Sequence, residues 1–183
     1  MYVCINAGHD RMFDSGAVGL NGLREADVTY DAMLLVAQYL ENAGIATLTI
    51  QADDLEYVCS VANSENVDLF ISLHCNAAES RQAHGFEVWT SRGETKADLL
   101  ATEVINCVEE AFPDLYIRKD YSDGDPDKEA GFYVLNRTEA PAILIEMAFI
   151  SNPEEEELLS NYWFISSMAK EIARGIVNYL NNL

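Results

Sequence analysis

The chain offers few residues for chemistry, and their spacing is informative. It has three histidines, His9, His74 and His84. The first two each follow a short apolar run: Tyr2–Asn6 leads into Ala7-Gly8-His9, and the LFISL run of Leu69–Leu73 ends directly on His74. A third run, Ala142–Ile145, is bounded by Pro141 and delivers Glu146. A carboxylate leaving a fully apolar strand is expensive to desolvate unless it has a partner or a task. Glu25 opens the first long helical pattern. Singly, each residue has an ordinary role: a hydrogen-bonded structural histidine, or an acid complementing a helix dipole. Two of the three histidines at the ends of buried strands favour a shared task. Two imidazoles and one carboxylate are a recurrent catalytic zinc set that leaves a fourth position for water. His9, His74 and Glu25 are therefore candidate ligands of one zinc ion. Asp27 and Asp31 compete with Glu25, and spacing alone does not rank them. Glu146 would then be the general acid/base beside the metal, and the reaction class metal-assisted hydrolysis of an amide or ester. His84, in a polar stretch before Gly85, is expected at the surface or in a loop.

These side chains need a sheet to bring them together. Apolar runs predict strands at Tyr2–Asn6, Ala46–Ile50, Leu69–Leu73, Phe86–Trp89, Phe132–Leu135 and Ala142–Ile145. Helical spacing marks Arg24–Asn42, with Gly44 as its stop, then Leu55–Asn66 and Lys96–Phe112. Asn152-Pro153-Glu154 starts another helix, with Pro at the first position and acids in the first turn. In the last helix Ile165, Met168, Ala169, Ile172, Ile176, Tyr179, Leu180 and Leu183 share one face. Strands alternating with helices predict an α/β fold of three layers, a mostly parallel twisted sheet flanked by helices on both faces. Ligands in such folds collect in the crevice at the carboxyl ends of central strands. Both histidines reach it if the first and third strands are neighbours.

At 183 residues the chain reads as a single domain over 1–183. Its 11 basic and 31 acidic residues leave a net charge of −20. Nucleic acid, anionic membranes and teichoic-acid surfaces are therefore poor partners for the domain as a whole. No apolar run approaches the ~18 residues of a transmembrane segment. Cys4, Cys59, Cys75 and Cys107 are scattered without CxxC or zinc-finger spacing and read as free, buried thiols. Pro113–Gly131 is polar and acidic and reads as a long loop. Its DYSDGDPDKE stretch fails the EF-hand template, since Lys119, Tyr121 and Ala130 would stand where acids are needed.

INAGHD, the Glu of GLREADVTYD, DLFISLHCNAA and PAILIEMAFISNPEEEELL stand in the order and character of the zinc-dependent N-acetylmuramoyl-L-alanine amidases, the Amidase_3 type. The chain resembles that family over nearly its whole length, GFYVLNRTEAPAILIE and the closing AKEIARGIVNYL included. The resemblance implies a three-layer α/β catalytic domain acting on peptidoglycan. The bond cleaved would be the amide joining the muramic lactyl group to L-alanine of the stem peptide. It also implies one Zn2+ held by His9, Glu25 and His74, with Glu146 as the catalytic glutamate, and so favours Glu25 over Asp27. A zinc peptidase acting on cell-wall stem peptides is the alternative. The chain departs from the family pattern in lacking an Arg shortly before Ala62-Asn63 and in reading Thr49-Ile50-Gln51 where Thr-Arg is common. These departures imply altered helix docking rather than lost activity. The first residues carry no export signal, and no wall-binding module is recognisable. The expectation is an endolysin-like protein held in the cytoplasm until it is released to the wall, or an autolysin domain secreted within a larger protein.

Overall fold

The computed structural model describes residues 1–182. Leu183, which the pattern puts on the face of the last helix, lies outside the described residues. In chain order the elements are β1 (Tyr2–Ala7), α1 (Glu25–Asn42), β2 (Ala46–Gln51), α2 (Leu55–Ser64), β3 (Leu69–Asn76), β4 (Glu87–Thr90), α3 (Lys96–Ala111), β5 (Lys128–Glu129), α4 (Tyr133–Arg137), β6 (Ala142–Phe149), α5 (Pro153–Ser160) and α6 (Tyr162–Asn181). The six strands form one sheet in the order β2-β1-β3-β6-β4-β5. Neighbours are parallel except β4 and β6, which run antiparallel. β1 and β3 are adjacent, as the shared crevice requires.

Strand alternation feeds two cores. Val3, Ile5, Ile71, Leu73, Ile143 and Ile145 pack with α1, α3 and α6 on one face. Cys4, Phe70, Ala142 and Leu144 pack with α2 and α4 on the other. The sheet is thus covered on both sides, which is why its central strands are apolar throughout. The second cover is thin: α2 has 10 residues and α4 only 5. Asn6 and Ser72 face that side, where Ser72 donates to Asn6 Oδ1 at 2.8 Å. All four cysteines are free and buried, and burial pushes the Cys4 thiol up to about 12.

The structure corrects three sequence expectations. Phe132–Leu135 is not a strand: residues 133–137 form α4, and Val134 and Leu135 join α2 in the second core. β3 and β6 run past the expected ends at Leu73 and Ile145, so His74 and Glu146 sit within strands and not at their tips. The acidic stretch 113–131 is not all loop. Ile117 bridges Phe86 in parallel, and β5 continues along β4. Asn63 ties α2 to the α4 end through Arg137 O and Glu139 N, both at 2.9 Å. Among the described residues, no helix is long and apolar enough to cross a membrane.

Candidate metal centre and active site

His9, Glu25 and His74 converge. One ligand atom from each can be chosen so that all three lie within 4.8 Å of one another. His9 leaves β1 in the left-handed region, φ 65°, which turns its ring back over the strand end. The turn before it is pinned: Gly8 N donates to Leu73 O and the Thr29 hydroxyl to Gly8 O, both at 2.9 Å. His74 comes from β3, where the register with β6 shifts between His74 and Asn76. Glu25, the first residue of α1, is 3% exposed. Its Oε1 lies 3.1 Å from His74 Nδ1 and accepts Cys75 N at 3.0 Å. Its Oε2 lies 3.2 Å from His9 Nε2 and accepts Ala17 N at 2.9 Å.

The competing acids lie elsewhere. Asp27 pairs with Arg11 at 2.9 Å, and exposed Asp31 lines a groove between α1 and α6. His84 is exposed, with Nδ1 2.8 Å from Gln82 O. One partner escaped the sequence reading. Asp14 Oδ2 lies 2.7 Å from His9 Nδ1, while its Oδ1 accepts Gly16 N at 3.0 Å. The contact fixes the tautomer that leaves His9 Nε2 to face the centre. Its only sequence signal was an acid five residues past a histidine, in a loop with no periodicity.

Electrostatics mark the same place. In the metal-free chain the Glu25 bond pushes His9 up to about 9; burial opposes this and the Asp14 bond adds to it. Burial works to raise Glu25, but the His74 and His9 bonds overcome it and hold its carboxyl well below the usual range. Glu146 is the opposite case. It pairs with His74 across β3 and with Glu87 across β4, so the three side chains stand at one level of the sheet. Burial first, then the charges of Glu25 and Glu87, push Glu146 well above the carboxylate range. Its Oε2 is buried and has no hydrogen-bond partner among the described residues. A buried oxygen left unpaired beside imidazole and carboxylate donors is a group held ready for a proton or a ligand.

Glu87, also missed from sequence, closes the far side. It is 3% exposed and takes four donors: Asn76 Nδ2 at 2.7 Å, Trp89 Nε1 at 3.2 Å, Arg118 Nε at 2.6 Å and Lys128 Nζ at 2.7 Å. An acid between Phe86 and Val88 in an otherwise apolar strand was the available signal. The approach to α1 is clamped by buried Glu156 of α5, which accepts Asn21 N at 2.8 Å and Asn21 Nδ2 at 3.1 Å.

The donor chemistry fits a metal. Two imidazole nitrogens and a carboxylate oxygen suit zinc, and the contacts to Asp14, Cys75 N and Ala17 N orient the ligands from behind. A three-layer α/β domain with this donor set and a buried carboxyl oxygen without a partner among the described residues beside it defines a class, an α/β domain whose cluster could bind a metal ion. The family follows from comparison. The family model described as N-acetylmuramoyl-L-alanine amidase matches residues 3–178, and the chain belongs to that family. It is 29% identical over 220 residues to N-acetylmuramoyl-L-alanine amidase AmiA of Escherichia coli, covering 98% of this chain and 76% of that protein. It is 32% identical over 186 residues to the endolysin of Bacillus phage SPP1, covering 98% and 66%. The solved structure of N-acetylmuramoyl-L-alanine amidase AmiC2 of Nostoc punctiforme is similar with a TM-score of 0.88. That match is 30% identical and covers 99% of this chain and 97% of that one.

Proposed function

We propose that this chain is a zinc-dependent N-acetylmuramoyl-L-alanine amidase that hydrolyses the amide between the muramic lactyl group and L-alanine of peptidoglycan. In this reading His9, Glu25 and His74 hold one zinc ion, and Glu146 is the catalytic residue. The observation that carries it is the convergence of three ligand atoms within 4.8 Å beside the unpartnered Oε2 of Glu146. Zinc, when bound, supplies a Lewis acid for the scissile carbonyl and makes water acidic enough to react near neutral pH.

The chain's own residues supply the rest. Asp14 holds the His9 ring, and Cys75 N and Ala17 N hold the two oxygens of Glu25, so the donor set is preorganised. Glu146 Oε2 takes a proton from the attacking water and returns it to the nitrogen of the leaving L-alanine. A pKa above the ordinary carboxylate range suits a group that must accept and donate within one cycle. Glu87, with its four donors, supports the strand beside Glu146 and keeps a negative charge near it.

The test is an end-group assay on purified peptidoglycan with and without a zinc chelator. The expected result is release of L-alanine amino termini that the chelator abolishes. Amino termini of other residues would assign a peptidase instead, and release insensitive to the chelator would remove the metal from the reaction.

A further inference from the structure

Beyond the donor set, the outer edge of the sheet carries a second polar cluster that the amidase reaction does not use. Asp127, immediately before β5, is 2% exposed. Its Oδ2 accepts the Thr90 hydroxyl at 2.7 Å, but its Oδ1 is buried without a partner. Asp125 Oδ1 is likewise buried and unpartnered, and its carboxyl reaches that of Asp127. Among the described residues, no cation answers them. Lys128, next along the chain, points to the opposite side, onto Glu87 at 2.7 Å. Asp98 at the start of α3 adds a third negative charge nearby, with its own oxygens engaged by Thr95 N and Thr95 Oγ1 at 2.7 Å. Burial, and then the Asp125 carboxyl, raise Asp127 above the usual range.

A buried and a half-buried carboxylate that face each other with orphan buried oxygens either share a proton or hold a cation. Oxygen-only donors exclude a preference for zinc and suit a hard ion. Two carboxylates only two residues apart, with a hydroxyl beside them, fit the flexible coordination of calcium better than the strict octahedron of magnesium. We propose that Asp125 and Asp127, with the Thr90 hydroxyl, form a calcium site distinct from the His9–Glu25–His74 centre. It is not an EF-hand. Its donors come from the edge of the sheet and from a loop that the Asp120 N to Pro126 O bond closes at 3.2 Å. The ion would tie the 120–129 segment to β4, whose Thr90 O already accepts Ala130 N at 3.0 Å. With two charged donors the affinity belongs at the weak end of protein calcium sites, about 10⁻⁴–10⁻³ M.

The test uses zinc-loaded protein freed of calcium and reads thermal stability near neutral pH, not activity. Calcium chloride at about ten times Kd should raise Tm by about 3–5 °C over sodium chloride of equal ionic strength. Magnesium should do less. Asp125→Asn and Asp127→Asn should each abolish the response, and neither should lower the calcium-free Tm, because each replaces one of two crowded carboxyl groups by an uncharged amide of the same shape. Equilibrium dialysis of the unaltered protein, which needs no variant to fold, should find one calcium per chain at this affinity. No rise above the sodium control, or a rise that survives in both variants, would overturn the site. The first would leave a shared proton as the explanation, and the second would show screening of the acidic surface.

Discussion

Replacing Gly8 by alanine should empty the metal centre without unfolding the domain. A Cβ on Gly8 would stand 2.3 Å from Cε1, 2.5 Å from Nδ1 and 2.6 Å from Nε2 of His74. Carbon atoms settle at about 3.5–4.0 Å, so something must retreat by more than about 1 Å. The backbone cannot easily do so, because Gly8 is bonded on one side to Leu73 O and on the other to the Thr29 hydroxyl, both at 2.9 Å. Gly8 is not among the glycines at positive φ, so alanine brings no conformational penalty of that kind. The imidazole therefore has to move, and metal–ligand distances tolerate only about 0.2 Å. Disturbing a group behind a ligand already costs about 10–100-fold in affinity, and displacing the ligand itself should cost at least that. Zinc affinity is read by competition with a chromophoric chelator, with circular dichroism to verify the fold. Gly44→Ala is the control: nothing lies within 4 Å of its Cβ, but φ is +80°. It should lose about 1–2 kcal/mol of stability and no zinc affinity. A Gly8→Ala protein with wild-type affinity and turnover would refute the placement of the His74 ring.

Three other outcomes follow from the same geometry. Asp14→Ala should weaken zinc binding by about 10–100-fold with the fold intact, read by the same competition; unchanged affinity would show that the 2.7 Å contact to His9 orients nothing. In metal-free protein His9 sits at about 9, above its unfolded value of roughly 6.5. The folded state therefore holds the extra proton between those values, so this stabilisation is complete below pH ~6.5 and disappears as pH rises through ~9. Thermal melts of the metal-free protein should show Tm falling across that window and a flatter profile in Glu25→Gln; matching profiles would contradict the pairing. Glu156→Ala should loosen the Asn21 turn and lower Tm by several degrees, with faster amide exchange at Asn21 and no change at β5, while unaltered exchange would show the clamp to be dispensable.

The proposed site residues His9, His74 and Glu146 stood out in the sequence because each is a polar residue joined to an apolar strand, where burial demands a reason, whereas Glu25 was separated from Asp27 and Asp31 by the family resemblance and not by its spacing. The strand ends were misjudged for a related cause. His74 and Asn76 face one side of β3 while Cys75 fills the other, and Glu146 and Met147 alternate likewise on β6. A run that changes from apolar to alternating reads as ending when it is only leaving full cover. Phe132–Leu135 has the composition of a strand, but Val134 and Leu135 are needed by α2, which pulls the segment into a helix. Glu87 is defined by partners from distant parts of the chain, Arg118 and Lys128, which no local pattern encodes, whereas Asp14 meets His9 from only five residues away, through a loop turn that carries no periodicity. The antiparallel placement of β4 beside β6 likewise has no local signal in the sequence.

In the proposed site, His9, Glu25 and His74 hold the metal and Glu146 moves the proton. Zinc content and amidase turnover measured together in Glu146→Gln and His74→Ala separate these roles. Glu146→Gln should keep a full complement of one zinc with turnover reduced by about 10²–10⁴-fold, and His74→Ala should lose zinc together with turnover. Near-normal turnover in Glu146→Gln, or a full zinc complement in His74→Ala, would contradict these roles.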